Sequence, residues 1–251
     1  MTSPVTAGSP SAPPGEAPPG AARVLAALDA VRDPELDEPI TSLGFVTACT
    51  VSAHGEAQVR LRLPTYFCAP NFAFLMVADA YDAASAVPGV LRAEVVLEDH
   101  FASDAINGGV AARAGFARTF DGEAVGELHD LRADFLRKAV MAGTDQVCRP
   151  LLAAGADPAG LRNLTLGELP PSGPLQRLRQ RRVELGLPAG DDAPLVIEPT
   201  TGAPVSADSL PLHLRRARTT RISIESNGSI CRGMLRRRYE TSGLGEEVDE
   251  Q

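Results

Sequence analysis

Cys68 is the side chain in this sequence best placed to do chemistry. It lies in the stretch Thr65-Tyr66-Phe67-Cys68-Ala69-Pro70, between an alternating apolar segment and a helical one. A thiol just ahead of a helix N-terminus meets free backbone N–H groups and the positive end of the helix dipole. That setting should let it ionise more readily than its reference value near ~8.5. The thiolate is the form that binds iron or zinc, or attacks a disulfide or persulfide. Thr65, three residues earlier, is positioned to donate a hydroxyl hydrogen bond to that sulfur. Asp33 and Glu35, in Asp33-Pro34-Glu35, follow the first helical segment. If their loop shares a sheet edge with the Cys68 loop, carboxylate and thiolate face one cleft; the same two acids also suit the plain end of a helix.

Three other cysteines are far apart and form no CxxC pair. Cys49 falls inside an expected strand and reads as core. Cys148 and Cys231 each follow an expected cap, Thr144 and Asn227. Both therefore fall near a helix start, where a thiolate is favoured. Were Cys68, Cys148 and Cys231 to converge, three thiolates plus a His or carboxylate would suit zinc or an iron–sulfur cluster; packing is the alternative role. His54 belongs to a hairpin, and His100 reads as a surface residue. No HExxH, GxSxG or P-loop occurs, which argues against a nucleotide-hydrolysing scaffold.

These residues need elements to position them. Val24, Leu25, Leu28 and Val31 recur at helical spacing over 21–32, and the helix must stop where Asp33 precedes Pro34. Strands are expected at 45–53 and 57–63, the second from the alternation of Val59, Leu61 and Leu63 with Gln58, Arg60 and Arg62. His54, Gly55 and Glu56 make the turn between them. A helix over 71–85 and a strand over 90–97, with Leu91, Ala93, Val95 and Leu97 on one face, complete the order α-β-β-α-β. The fold class is α+β: a three-stranded sheet with packed helices, then a mainly helical C-terminal region with a short strand or two. That region should hold helices over 103–119, 130–142, 144–155 and 175–185, a strand at 219–225, and a short helix after Asn227. Domain organisation follows. Residues 1–20, rich in Pro, Gly and Ala, form a disordered tail. Residues 21–100 form the small domain, 101–242 an accessory region, and 243–251 an acidic loose tail.

Bulk properties narrow the function. With 24 basic and 32 acidic residues the net charge is −8, contrary to what a general nucleic-acid binder needs to displace phosphate counterions. No apolar run approaches a membrane span, and the N-terminus lacks a signal-peptide pattern. A cytoplasmic protein with reduced thiols is the expectation. The Arg runs 177–182, 215–221 and 236–238 suit solvated helix faces or a docking face for an acidic client.

Asp33-Pro34-Glu35 after a helix, Pro39-Ile40 and Leu43-Gly44-Phe45-Val46 entering the first strand, Thr65-x-x-Cys68-x-Pro70 before the second helix, and Pro88-Gly89-Val90 before the last strand together resemble the SufT/PaaD-type iron–sulfur cluster assembly family over about residues 21–100. Where family members often carry Cys-Pro directly, Ala69 intervenes here. The resemblance implies a non-enzymatic maturation factor. It would present the Cys68 thiolate, with Thr65, Asp33 and Glu35 around it, to a transient iron–sulfur cluster, iron ion or persulfide. Its partners would be cluster assembly proteins and a client metalloenzyme such as an oxygenase component; a homodimer is also open. An adaptor or assembly chaperone without metal, and a thiol-dependent enzyme using His100 as base, are the alternatives.

Overall fold

The structure, a computed structural model, describes residues 20–120 and 128–240. Helix α1 (Ala21–Leu28) buries Val24 and Leu28. It ends one turn earlier than its apolar spacing implies, because Arg32 and Asp33 are drawn into a two-residue strand. That strand, β1 (Arg32–Asp33), pairs antiparallel with β2 (Glu38–Pro39). Strands β3 (Val46–Val51) and β4 (Glu56–Arg62) form the expected antiparallel hairpin. Its turn needs Gly55, whose φ of +75° falls in the left-handed region that side chains resist. Ala57, Val59 and Leu61 of β4 all face inward.

Helix α2 (Pro70–Ser85) crosses over the sheet and delivers β5 (Arg92–Glu98) parallel to β4. The strand order is β3-β4-β5. Leu91, expected on the inner face, precedes the strand and is 83% exposed, while Val95 and Leu97 are buried. The open edge of β5 is met by helix α3 (Ser103–Ala111). Asn107 accepts from the Leu97 N–H (2.9 Å) and donates to its carbonyl (3.0 Å), as a neighbouring strand would. The expected helix over 103–119 is broken, with a short α4 (Phe116–Thr119) after Gly115, whose φ is +76°. Leu28, Ile40, Phe45, Val59, Leu61, Met76, Val77, Leu97 and Ile106 lie in one core.

The second half corrects the sequence reading in two places. A single helix α5 (His129–Ala153) replaces the two helices expected on either side of Thr144. Thr144 is no cap: it is buried, and its hydroxyl donates back to the Val140 carbonyl at 2.9 Å. Val140, Gly143 and Val147 keep one face apolar through that point. Helix α6 (Gly173–Glu184) packs on it with Leu178 set against Gly143, where even a β-carbon would lie 3.3 Å from the leucine. The residues expected to form a strand at 219–225 belong instead to α7 (Leu210–Glu240), and Asn227 sits in mid-helix. The alternation of Ile222 and Ile224 misleads. The covered stripe runs through Leu210, His213, Ala217, Arg221, Ile224, Gly228, Cys231 and Leu235, at steps of three or four, and Ile222 is 45% exposed. Val140, Cys148, Leu166, Leu178, Leu195, Val196 and Leu210 lie in a second core.

Helix α7 ties the two cores together. Its N-terminal half packs on α5, where Arg221 meets Asp145 at 2.5 Å with both side chains nearly buried. Its C-terminal half lies on the first unit: Arg232 pairs with Glu38 at 2.5 Å, and Cys231 and Leu235 pack against the first core. Gly228 permits this approach, since a β-carbon there would fall 3.0 Å from the Glu38 carboxylate.

Candidate functional site

The site is built where the exits of β1, β4 and β5 meet the second half of α7. Leaving β4, the chain buries Leu63 and Pro64 and then turns through 65–69 into α2, with Ala69 at the N-cap and Pro70 as first residue. Cys68 is half-buried, and the Thr65 hydroxyl lies 3.2 Å from its sulfur, the contact expected from their spacing. The loop is held by the segment after β5. The Phe101 N–H donates to the Tyr66 carbonyl at 3.1 Å. His100 Nε2 lies 2.7 Å from the Cys68 carbonyl oxygen, and its Nδ1 accepts the Ala102 N–H at 3.2 Å. That pairing assigns the ring proton to Nε2, which donates to the carbonyl. His100 is 3% exposed, so the expected surface histidine is a buried brace for the cysteine loop. Buttressing the loop in this way leaves three rings outside: Tyr66, Phe67 and Phe101 are exposed and in mutual contact, with centroids 5.0–6.3 Å apart.

The Asp33-Pro34-Glu35 turn arrives from the other side. Asp33 Oδ1 accepts the N–H groups of Glu35 and Leu36, each at 2.9 Å, which fixes the turn out of β1. The carboxyl is 8% exposed. Burial pushes its pKa up to about 6, the two N–H bonds hold it down in part, and the charges of Glu35 and Glu38 add to the rise. Glu35 is exposed and accepts a long hydrogen bond, 3.4 Å, from the Asn227 amide of α7.

One turn along α7 from Asn227 stands Cys231. Its thiol is pushed up to about 11, first by burial and then by the negative charges of Asp33, Cys68 and Glu35, with Arg232 opposing. Cys231 and Cys68 both pack against the first core. Of the two further cysteines considered for convergence on Cys68, Cys231 thus shares its neighbourhood and Cys148 does not. Cys148 is fully buried in the second core, in mid-helix rather than at a helix start, and burial beside Asp145 pushes its thiol up to about 12. Cys49 faces the α1 start, its sulfur 3.6 Å from the Ala21 carbonyl oxygen. Among the described residues no group of three or more His, Cys, Asp or Glu is arranged to hold a metal ion, so three-thiol convergence is not formed.

The last turns of α7 close over the same edge. Arg238 donates to the Leu63 and Asp99 carbonyls at 3.3 and 2.7 Å, and the Tyr239 hydroxyl donates to Asp99 Oδ2 at 3.0 Å. Leu235 packs against Gly44. Asn227 and the Arg238–Tyr239 clasp were not associated with Cys68 in the sequence reading; Cys231 was, as one of three thiols considered for convergence. The signal available was the three-and-four stripe of α7, which places Asn227, Cys231, Leu235 and Arg238 on one helix face.

Residues 21–95 match the family model described as iron-sulfur cluster assembly protein. No curated protein and no solved structure matches the chain. The N-terminal unit is therefore a domain of the iron–sulfur cluster assembly type, which supports a general role in cluster assembly. The match covers under a third of the chain and stops within β5. Cys68, Thr65, Asp33 and Glu35 lie inside it; His100, Cys148 and all of α7 lie outside. No helix among the described residues is long and apolar enough to cross a membrane.

Proposed function

We propose that the protein is a maturation factor that carries a transient iron–sulfur cluster, iron ion or persulfide on Cys68 and delivers it to a client metalloenzyme. The observation that carries this reading is the Cys68 thiol in the loop before α2, 3.2 Å from the Thr65 hydroxyl and inside the matched cluster-assembly domain. A thiolate sulfur is a donor that suits iron, and a client would complete the ligand set. The Thr65 hydroxyl lies within hydrogen-bond distance of the Cys68 sulfur.

The protein acts as a carrier rather than as an enzyme. A thiol-dependent mechanism would need a base for Cys68, and His100 is engaged at both nitrogens, one on the Cys68 carbonyl and one on the Ala102 N–H. The exposed rings of Tyr66, Phe67 and Phe101 beside Cys68 suit a docking face for the client, and the helices of the second half supply the remaining recognition. That ring cluster would equally serve an adaptor that carries no metal.

Anaerobic reconstitution with iron and sulfide separates the two. Wild type should gain visible cluster absorption, Cys68→Ser should lose it, and Cys148→Ser should retain it. Absence of bound iron in the wild type would overturn carriage and leave the adaptor.

A further inference from the structure

Away from Cys68, the β1–β2 hairpin and helices α5, α6 and α7 enclose a cleft of about 400 Å³. Its basic lining comes from Arg32, Arg177 and Arg181, from both halves of the chain. A neighbouring cavity of about 330 Å³ shares Arg32 and Arg181 as wall.

The lining holds three arginines and three carboxylates, Asp37, Glu38 and Glu225, and Arg177 is the arginine left without a partner among the described residues. Asp37 is shared: Arg181 Nε donates to it at 2.6 Å, and Arg32 lies 3.8 Å away. Arg181 Nη1 donates to Glu184 at 2.6 Å. Of the other two carboxylates on the cleft, Glu38 pairs with Arg232, and Glu225 shares Arg221 with Asp145. Arg181 is 3% exposed, and its remaining nitrogen, Nη2, is buried with no hydrogen-bond partner. A buried guanidinium N–H left unpaired is unfavourable and is satisfied by a bound partner or water. Arg177 is exposed and makes no hydrogen bond or ion pair with any described residue. Arg32, Arg177 and Arg181 line the same cleft.

From the buried unpartnered nitrogen, the unpaired Arg177 and the cleft they line, we infer that this cleft binds a small oxyanion, a phosphate or carboxylate group. Planar guanidinium forks match the paired oxygens of phosphate and carboxylate. The volume lies at the small end of ligand pockets and holds a metabolite-sized molecule, not a polymer. Because the lining comes from β1–β2 and from α5–α7, such a ligand would bridge the assembly-type domain and the helical half.

Isothermal titration of the full chain with inorganic phosphate and, separately, with citrate tests this, at ionic strength held constant with chloride. Saturable binding of phosphate alone would assign a phosphate group, and of citrate alone a polycarboxylate; either supports the site. Arg177→Gln, which removes an exposed side chain with no partner, should weaken binding at least tenfold. Arg149→Gln, an exposed arginine elsewhere on α5, removes the same charge and should leave affinity unchanged. Absence of saturable heat with both ions, or equal weakening by the two variants, would overturn the inference. Neither result bears on iron loading at Cys68.

Discussion

Asp33 makes a stability prediction that separates a functional carboxylate from a structural one. Its carboxyl is almost fully buried, with its pKa raised from the ordinary 3.8 to about 6. Below pH 3.8 the group is protonated in both folded and unfolded chains and has no effect on stability. Between 3.8 and about 6 the unfolded chain ionises first, so stability falls as pH rises. At ~1.4 kcal/mol per pH unit, the full loss is ~3 kcal/mol, complete above about pH 6. Asp33→Asn keeps an oxygen to accept the Glu35 and Leu36 N–H groups and never ionises. The variant should match wild type at pH 3.5 and exceed it by up to ~3 kcal/mol at pH 7.5, the gap opening between pH 4 and 6. Thermal unfolding in metal-free buffer across that range reads it, as a rise of ~2–4 °C per kcal/mol at this chain length. An asparagine variant that is less stable at pH 7.5, or a difference independent of pH, would refute the reasoning. A buried carboxylate that lowers stability at neutral pH is the pattern of a group kept for binding.

Further predictions concern the packing around the site. Arg182 is fully buried and donates to the Pro188, Pro194 and Leu195 carbonyls; Arg182→Met should cost ~3 kcal/mol in denaturant unfolding, because those acceptors lose their donor. A loss below ~1 kcal/mol would mean that water replaces it. Iodoacetamide labelling at pH 8 should leave Cys148 untouched until the protein unfolds, and Cys231, with about 0.1% thiolate at that pH, should label slowly; fast labelling of Cys148 in the native protein would contradict its burial. Arg238→Ala with Tyr239→Phe should release the end of α7, raising amide exchange in its last turns and speeding Cys231 labelling while the melting temperature changes little. Unchanged exchange there would show that the clasp does not hold the helix.

The first half was legible because its signals are local. Val59 and Leu61 alternate with charged residues in β4, Gly55 makes the turn, and Pro70 opens α2. The Thr65–Cys68 contact follows from a spacing of three within one loop. The second half failed where a local preference met a larger packing demand. Thr144 has the residue type of a cap, but Val140, Gly143 and Val147 needed the helix to continue beneath it. Ile222 and Ile224 alternate like a strand, yet contacts with two cores imposed a helical stripe on the same residues. That Cys231 and not Cys148 comes to the Cys68 side was undecided in the sequence for a related reason. It depends on a 31-residue helix spanning both units, and on Gly228 letting that helix lie against Glu38.

Cluster transfer tests the central claim most directly. Reconstituted protein is mixed anaerobically with an apo iron–sulfur acceptor protein and an iron chelator, and the acceptor's cluster signal is followed over time. Transfer through the Cys68 site predicts chelator-resistant delivery from wild type, faster than from free iron and sulfide, abolished by Cys68→Ser and slowed by Cys231→Ser. Delivery no faster than from free iron and sulfide, or unaltered in Cys68→Ser, would contradict it.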